Sequence, residues 1–447
     1  MLQGAQPSTI RDNPTARVLQ ALRDFESPNV TYQAPDGSWP IVWASARGMQ
    51  VVDLAGRAYL DLTAAFGVAA AGHANRRVVQ AATRQMRRLL HAMGDVHPHP
   101  VKAELAQLLS QITFERWTAK FTTGVVRGRT VFGNSGFEAV EVALKTAMLA
   151  TGRRGVLAFE RGYHGLGYGA LEVTGRDLFR LPFLKQLGGF AAFMPFPDSP
   201  ETSGAVLERV DEQLRLGKLG AVLVEPIQGR GGIRVPPRGF LRGLRTVCDA
   251  HGVLLIADEV YTGFGRTGHW FACEDDAVVP DLVCLGKALT GGFPLSACVG
   301  RAELMAGAWP ASTGEALHTS TFLGHPVGCA MALAQIAEID RLELVRQSAV
   351  RGRELRNLLG ALGVANSKFR FAVRGRGLMV GVEVSRLDGR PATREVWEVV
   401  RRMLHRGFLV LPEGEHGEVL AFTPPLIVRR SQLSATVETL RNVLDEL

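Results

Sequence analysis

Cysteine is scarce. Of 447 residues only five are cysteine, Cys248, Cys273, Cys284, Cys298 and Cys329, and no two stand at Cys-x-x-Cys spacing. That argues against a zinc site and against a disulfide framework. Long apolar runs are missing as well, so no segment is expected to span a bilayer. The opening stretch "MLQGAQPSTIRDNPTARVLQ" has no apolar core of the kind a secretory leader carries, and a reduced, cytoplasmic compartment is the expectation. Basic residues outnumber acidic ones, for a net charge of +8, yet they do not cluster. "RRGVLAFER", "RQMRR" and "VRR" are short, scattered and without interleaved aromatics, so neither nucleic acid nor a membrane is an expected partner. A mild positive field that draws in anionic small molecules fits better. Fixed-period repeats and low-complexity tracts are also absent.

What is present is the composition of a globular chain of two or three domains. Residues 1–45 are mixed and rich in Pro, Ser and Asn, and read as an arm. "GMQVVDLAGRAYLDL" (48–62) predicts a hairpin with Gly56 in its turn. The middle of the chain alternates short apolar runs with helical periodicity: "GVLAF" (155–159), "AVLVE" (221–225), "VLLIAD" (253–258) and "LVCLGK" (282–287). Between the second and third of these, Pro236 and Pro237 suit a helix start and Gly252 a stop, with Phe240, Leu241, Leu244, Val247 and Cys248 on one stripe. Strand–helix–strand units of this length imply a mainly parallel sheet covered on both faces. From about residue 335 the pattern changes: a long helical stretch to about 363, strands at "GLMVGVEV" and "GFLVLPEG", and a final helix at "SQLSATVETLRNVLDEL". The expected division is an arm and part of a small domain over 1–70, a large domain over 71–334, and the rest of the small α+β domain over 335–447.

Ligands in such sheets bind beyond the carboxyl ends of the strands. Three of the four apolar runs end there on a charge, Glu225, Asp258 and Lys287, about thirty residues apart, which is one strand–helix–strand step each. Lys287 stands in "CLGKALTGGFPLSACVG", where no other charge occurs between Asp281 and Arg301. A lone lysine at a strand end can simply snorkel to water. Buried, it lowers its pKa and becomes a nucleophile able to form a Schiff base. The regular spacing of three charges along one edge favours a site.

Three further stretches add parts. "FGNSGFEAVEVALKTAMLATG" (132–152) is a glycine-containing turn opening a helix. Ser135 and Glu138 have capping-box spacing, and Val140, Ala143, Leu144, Ala147 and Met148 are the expected buried stripe. Such a helix start either is plainly capped or binds phosphate. "RGYHGLGYGA" (161–170) sets Tyr163 and His164 between glycines, as a plate for a planar ligand or as loop aromatics closing the core. "LLIADEVYTGFGRTG" (254–268) ends an apolar strand on Asp258. A carboxylate there needs a partner: a protonated pyridine nitrogen, a helix cap, or Arg266. A reactive lysine, a phosphate cradle, an aromatic plate and a buried carboxylate together suit pyridoxal phosphate.

From about residue 38 to the C-terminus the chain resembles the class III (omega-type) aminotransferases, within the fold-type I pyridoxal-phosphate enzymes. The motifs are "GNSGFEAVEVALKTA", "GYHG", "VEPIQGRGG", "IADEVYTGFGRTG", "LGKALTGGFPLSACVG", "HTSTFLGHPVGCAMALA", "RGRGLMVGVEV" and "FTPPLIV". The resemblance implies an α/β fold with a mainly parallel large-domain sheet, pyridoxal 5′-phosphate as cofactor, and a homodimer. It implies Lys287 as the Schiff-base lysine and Asp258 as the partner of the pyridine nitrogen. Ser135, Gly136 and Phe137 would cradle the phosphate, with Tyr163 over the ring, and His164, Glu225 and Tyr261 complete the cofactor's surroundings. Thr321 would reach the phosphate of the neighbouring subunit. Tyr261 stands where many members have glutamine, and Phe137 where many have Thr or Ser.

Two departures concern substrate. Ala421 occupies the place of an arginine that grips a carboxylate in many members, and Leu166 that of an arginine common in members acting on 4-aminobutyrate. Arg230 is a candidate replacement, with Phe66 and Ala421 as further substrate-side residues. The acidic "PEGEH" stretch (412–416) reads as a solvated turn in preference to a seat for a positively charged tail. The expected reaction moves an amino group from an ω-amino acid or amine, 4-aminobutyrate-like, to a 2-oxo acid. Racemisation, elimination or decarboxylation on the same fold is the alternative.

Overall fold

The structure, a computed structural model, describes residues 13–365 and 368–447. Residues 1–12 of the expected arm lie outside the described residues. The rest of the arm is more ordered than its composition suggests, because Pro14–Phe25 is a helix. Asn13 caps it, accepting from the Ala16 amide at 3.2 Å, and proline takes the first turn. Asn-Pro is a recognised start signal.

A seven-stranded sheet occupies the middle of the molecule. Its spatial order is Gly128–Gly133, Ser296–Arg301, Leu282–Leu285, Leu254–Asp258, Leu219–Val224, Gly155–Phe159 and Ala191–Met194. Only Ser296–Arg301 runs against the others. The four apolar runs of the sequence are four adjacent strands of this sheet. Their apolar character is continuous because both faces are covered. Leu157, Val222, Leu255 and Val283 face one core with the Phe240–His251 helix, while Val156, Leu223, Ile256 and Cys284 face a second with the Gly136–Thr151 helix. Each such aliphatic contributes roughly 2 kcal/mol by leaving water, so a polar residue at Val222 or Ile256 would break a layer.

Two further sheets have four strands each. The predicted hairpin forms between Gln50–Asp53 and Ala58–Asp61, with Gly56 in the left-handed region (φ 80°). "GFLVLPEG" is not one strand. Phe408–Leu409 pairs in parallel with Ala58–Asp61, while Leu411–Glu413 joins the second small sheet beside Val419–Phe422. The helical stretch near 335 likewise divides into Pro326–Arg341 and Leu344–Ala365, broken at Glu343, whose φ is 50°.

Other local expectations also need correction. The Phe240–His251 helix starts after the prolines, with Gly239 at its cap, because two successive prolines and a glycine hold the chain outside the helix. Its Val247 is only partly buried. Met148 is 47% exposed, one step past the stripe that ends at Ala147. Among the described residues no helix is long and apolar enough to cross a membrane, all five cysteines are free and buried, and no group of residues is placed to hold a metal ion.

Candidate active site

Strand ends create the site. Glu225 follows Leu219–Val224, Asp258 closes Leu254–Asp258, and Lys287 stands two residues past Leu282–Leu285. Adjacent parallel strands in register carry the three side chains to one edge of the sheet. With Ser135, Gly136, Phe137, Tyr163, His164, Leu166, Arg230 and Tyr261, they line one pocket of about 400 Å³, within the range of small-ligand sites.

Lys287 is partly accessible and has a φ of 40°, a strained conformation for a residue with a Cβ. Its Nζ lies 4.5 Å from the centroid of the Tyr261 ring. Among the described residues no hydrogen bond or ion pair within 4.0 Å reaches Nζ. Burial lowers its pKa from the ordinary lysine value, against the pull of Asp258 and Glu225. Burial pushes Glu225 up to about 7, opposed first by His164, while its oxygens accept from the amides of Tyr163 (2.8 Å) and Gly229 (2.9 Å).

Asp258 is 5% exposed and His164 4%. Oδ2 of Asp258 lies 2.7 Å from Nδ1 of His164, and Oδ1 accepts from the Val260 amide at 3.1 Å. Arg266, the protein partner considered from sequence, donates instead to the carbonyls of Leu378 and Pro424. Tyr163 is sandwiched: the Arg230 guanidinium carbon lies 4.9 Å from its ring centroid, and Phe179 packs edge-on at 5.5 Å.

The capping box expected at Ser135 and Glu138 does not form. Glu138 turns back to the Asn134 amide (2.7 Å) and side chain. Ser135 occupies the cap position with no capping bond, and its Oγ is buried without a partner. A buried hydroxyl without a partner is costly. This one lies at the start of a sixteen-residue helix, where the first amides have no intrahelical acceptor. The close approach requires glycine at 136, since a Cβ there would lie 2.8 Å from Val260 Cγ1. An orphaned donor, free amides and a helix dipole fit a phosphate.

Not every expected residue joins the lining. Thr321 is exposed, on a turn tied down by His99 Nε2 to the Gly324 carbonyl at 2.8 Å. Phe66 is 56% exposed and lies outside the lining. Ala421 is buried in a cluster with Ile227, Ile233 and Met379, against which Tyr261 packs. The solvated turn expected at 412–416 is overturned at its centre, because Glu413 is 8% exposed and its carboxylate stands 3.9 Å from Arg230 Nε. Strand parity could have found it, since Glu413 shares a face with Leu411 two residues back. Glu415 remains on the surface, paired with Arg161.

A mainly parallel sheet with lysine, carboxylate and an anion-ready helix start at its carboxyl edge is the architecture of the fold-type I pyridoxal-phosphate transferases. The chain belongs to the class-III aminotransferase family, whose profile matches residues 31–444. It is 36% identical over 404 residues to an acetylornithine aminotransferase from Methanosarcina mazei, covering 90% of this chain and 92% of that one. It is 35% identical over 421 residues to a 5-aminovalerate aminotransferase from Pseudomonas aeruginosa, covering 91% and 94%. An amine transaminase from an uncultivated Pseudomonas species, solved with pyridoxal phosphate bound, superimposes with a TM-score of 0.84 at 28% identity, covering 94% of this chain and 98% of that one. The protein is an aminotransferase with pyridoxal 5′-phosphate as its cofactor.

Proposed function

We propose that the protein moves an amino group from an ω-amino acid or a primary amine to a 2-oxo acid, with Lys287 as its central residue. The observation that carries this is the Lys287 amine, free of hydrogen bonds and ion pairs among the described residues, beside two buried carboxylates. The cofactor, when bound, serves as a sink for the electrons left on the donor carbon as its proton departs.

Lys287 would hold the cofactor covalently. Once the donor's own amine has displaced it from the cofactor, Nζ would be a free amine, less basic than an ordinary lysine because it is buried, and would take the proton from the amine-bearing carbon. Asp258, fixed by His164 and the Val260 amide, would meet the pyridine nitrogen and keep it charged. Ser135 Oγ with the amides of Gly136 and Phe137 would receive the phosphate. Tyr163 supplies a flat wall, and Tyr261 faces the lysine. Arg230 is the cation available for a substrate carboxylate, since positions 166 and 421 hold Leu and Ala.

A homodimer belongs to this proposal, with Thr321 serving the partner's phosphate. Leu317, Phe322, Leu90 and Met93 are 54–68% exposed, and His91 ties Phe322 to the loop before it, with ring centroids 5.4 Å apart. That apolar surface near Thr321 suits a subunit contact. The free, buried cysteines accord with a cytoplasmic compartment. The division at residues 70 and 334 is retained as part of the same proposal.

The test is the half-reaction. Donor added without acceptor should give about one equivalent of carbonyl product per site and a lasting change in cofactor absorbance. Continued turnover without acceptor, or no product from any amine, would defeat it.

A further inference from the structure

Lys287 must carry a charge where the protein gives it no hydrogen-bond acceptor. Among the described residues no hydrogen bond or ion pair within 4.0 Å reaches Nζ. Asp258, Glu225 and Glu413 attract a charge on it and Arg230 repels one, but the three carboxylates act from beyond that distance. The proton step puts an ammonium there all the same. The C–H bond of the donor's amine-bearing carbon breaks, its electron pair stays on that carbon, and an N–H bond forms at Nζ. With cofactor and donor filling the pocket, water is displaced, and an unpaired ammonium costs free energy.

What the protein offers the cation is a ring. Nζ stands over Tyr261, 4.5 Å from the ring centroid, inside the range at which the negative face of an aromatic ring attracts a cation. The ring is locked in place. Its Cδ2–Cε2 edge abuts Gly67 and its Cδ1–Cε1 edge abuts Gly229, and a Cβ at either position would collide with it. Gly67 ends a turn whose residues Ala64, Ala65, Phe66 and Gly67 are all left-handed, at φ 48°, 48°, 61° and 80°. The first three carry a Cβ, so the backbone that reaches the ring is strained. The hydroxyl is spent elsewhere. Thr423 Oγ1 donates to the Thr63 carbonyl at 3.1 Å, and so accepts from the Tyr261 hydroxyl at 3.2 Å. Burial pushes that hydroxyl up to about 12, so the ring stays a neutral phenol.

We propose that the face of the Tyr261 ring holds the Lys287 ammonium by a cation–π contact, and thereby sets how readily the released lysine takes the donor's proton. Tyr261 is a positioning residue for that step, acting through Lys287 alone. The strained turn and the two glycines serve to hold the ring face under Nζ. This assignment rests on the reading of Lys287 as the proton carrier and deepens it.

The test titrates Lys287 in the apoenzyme, through the pH dependence of its acetylation by acetic anhydride, read on its own peptide by mass spectrometry. In Tyr261→Phe the midpoint should match wild type, because the ring face remains. Progressively fluorinated phenylalanines at position 261 keep the shape but drain the negative face. The midpoint should fall along that series by about one pH unit in all, a ten-fold loss of proton affinity, and Tyr261→Leu should fall as far. A midpoint unchanged across the fluorinated series, or one that rises in Tyr261→Leu as it would if the gap merely admitted water, overturns the contact. In the holoenzyme, above the midpoint, the fluorinated series should slow the half-reaction with donor by up to about ten-fold; an unaltered rate overturns the role in the proton step. If product forms and the titration ignores the ring, only this assignment fails. If the titration follows the ring but no amine yields product, the contact stands and the transamination reading fails.

Discussion

Nδ1 of His164 lies 2.7 Å from Oδ2 of Asp258, and both side chains are almost wholly buried. The contact spans 94 positions of chain and joins the loop after one strand to the end of another. It leaves the carboxylate aimed but not neutralised by a permanent cation such as Arg266. Asp258→Asn keeps the size and the contact to the Val260 amide, but it cannot keep a pyridine nitrogen charged. Turnover should fall by about a hundred-fold or more, the scale of losing a preorganised charge, while cofactor remains bound. Measured kcat within a few-fold of wild type would reduce Asp258 to a structural cap.

Lys287→Ala should leave the pocket without a covalent handle. Among the described residues no other lysine lines it. The purified variant should lack the absorbance of lysine-bound cofactor and should not turn over. The strained φ of 40° is as unfavourable for alanine, so the apo fold should survive. Intact absorbance with full activity would move the chemistry elsewhere.

Ser135→Ala separates function from stability. Its Oγ is buried and unpartnered, so the apo protein should be no less stable without it. Cofactor binding should weaken by about ten-fold, the worth of one hydrogen bond to a charged group. Equal loss of apo stability and cofactor affinity would mean the hydroxyl supports the helix start instead.

Most of this site is legible in the sequence. The charges at 225, 258 and 287 could be read because each ends a strand buried on both faces, where a polar residue is conspicuous. The partner of Asp258 could not, because His164 comes from a loop whose course depends on tertiary packing. Glu413 is harder to read because acidic residues beside proline and glycine look like a turn, and parity with Leu411 places it inward only once Leu411–Glu413 is taken as a strand, as its pairing with Val419–Phe422 shows it to be. The capping box failed for a local reason: Glu138 is held by Asn134, which leaves Ser135 free.

The apo protein should lose stability as pH rises towards neutrality, and Glu225 should be one cause. Its folded pKa of about 7 stands above the ordinary value of 4.5 because burial disfavours the charge. The native state therefore binds more protons than the unfolded chain between those values. The contribution is fully present below about pH 4.5 and is lost as pH rises through about 7, by roughly 3 kcal/mol at most. Glu225→Gln should flatten the slope over that window in urea unfolding of the apo form. An identical slope in wild type and variant would assign the dependence to other groups, of which Glu259, raised to about 6 by burial, is the next.

Arg230→Ala addresses the acceptor. The pocket presents Leu166, and position 421 is a buried Ala outside the lining, so a 2-oxo acid finds no arginine at either of these positions. Its carboxylate cannot be buried alone without cost. Arg230 turns into the lining, rests on Tyr163 and Phe179, and is 3.9 Å from Glu413 without a hydrogen bond. It can therefore turn to an incoming carboxylate without breaking a strong bond. Removing it should raise KM for 2-oxo acids about ten-fold or more, with a smaller effect on kcat. The cofactor's absorbance should not change, because Arg230 is not among the groups proposed to hold it. An unaltered KM for every accepted oxo acid would exclude Arg230 as the carboxylate reader and leave its charge as the counterweight of Glu413 alone.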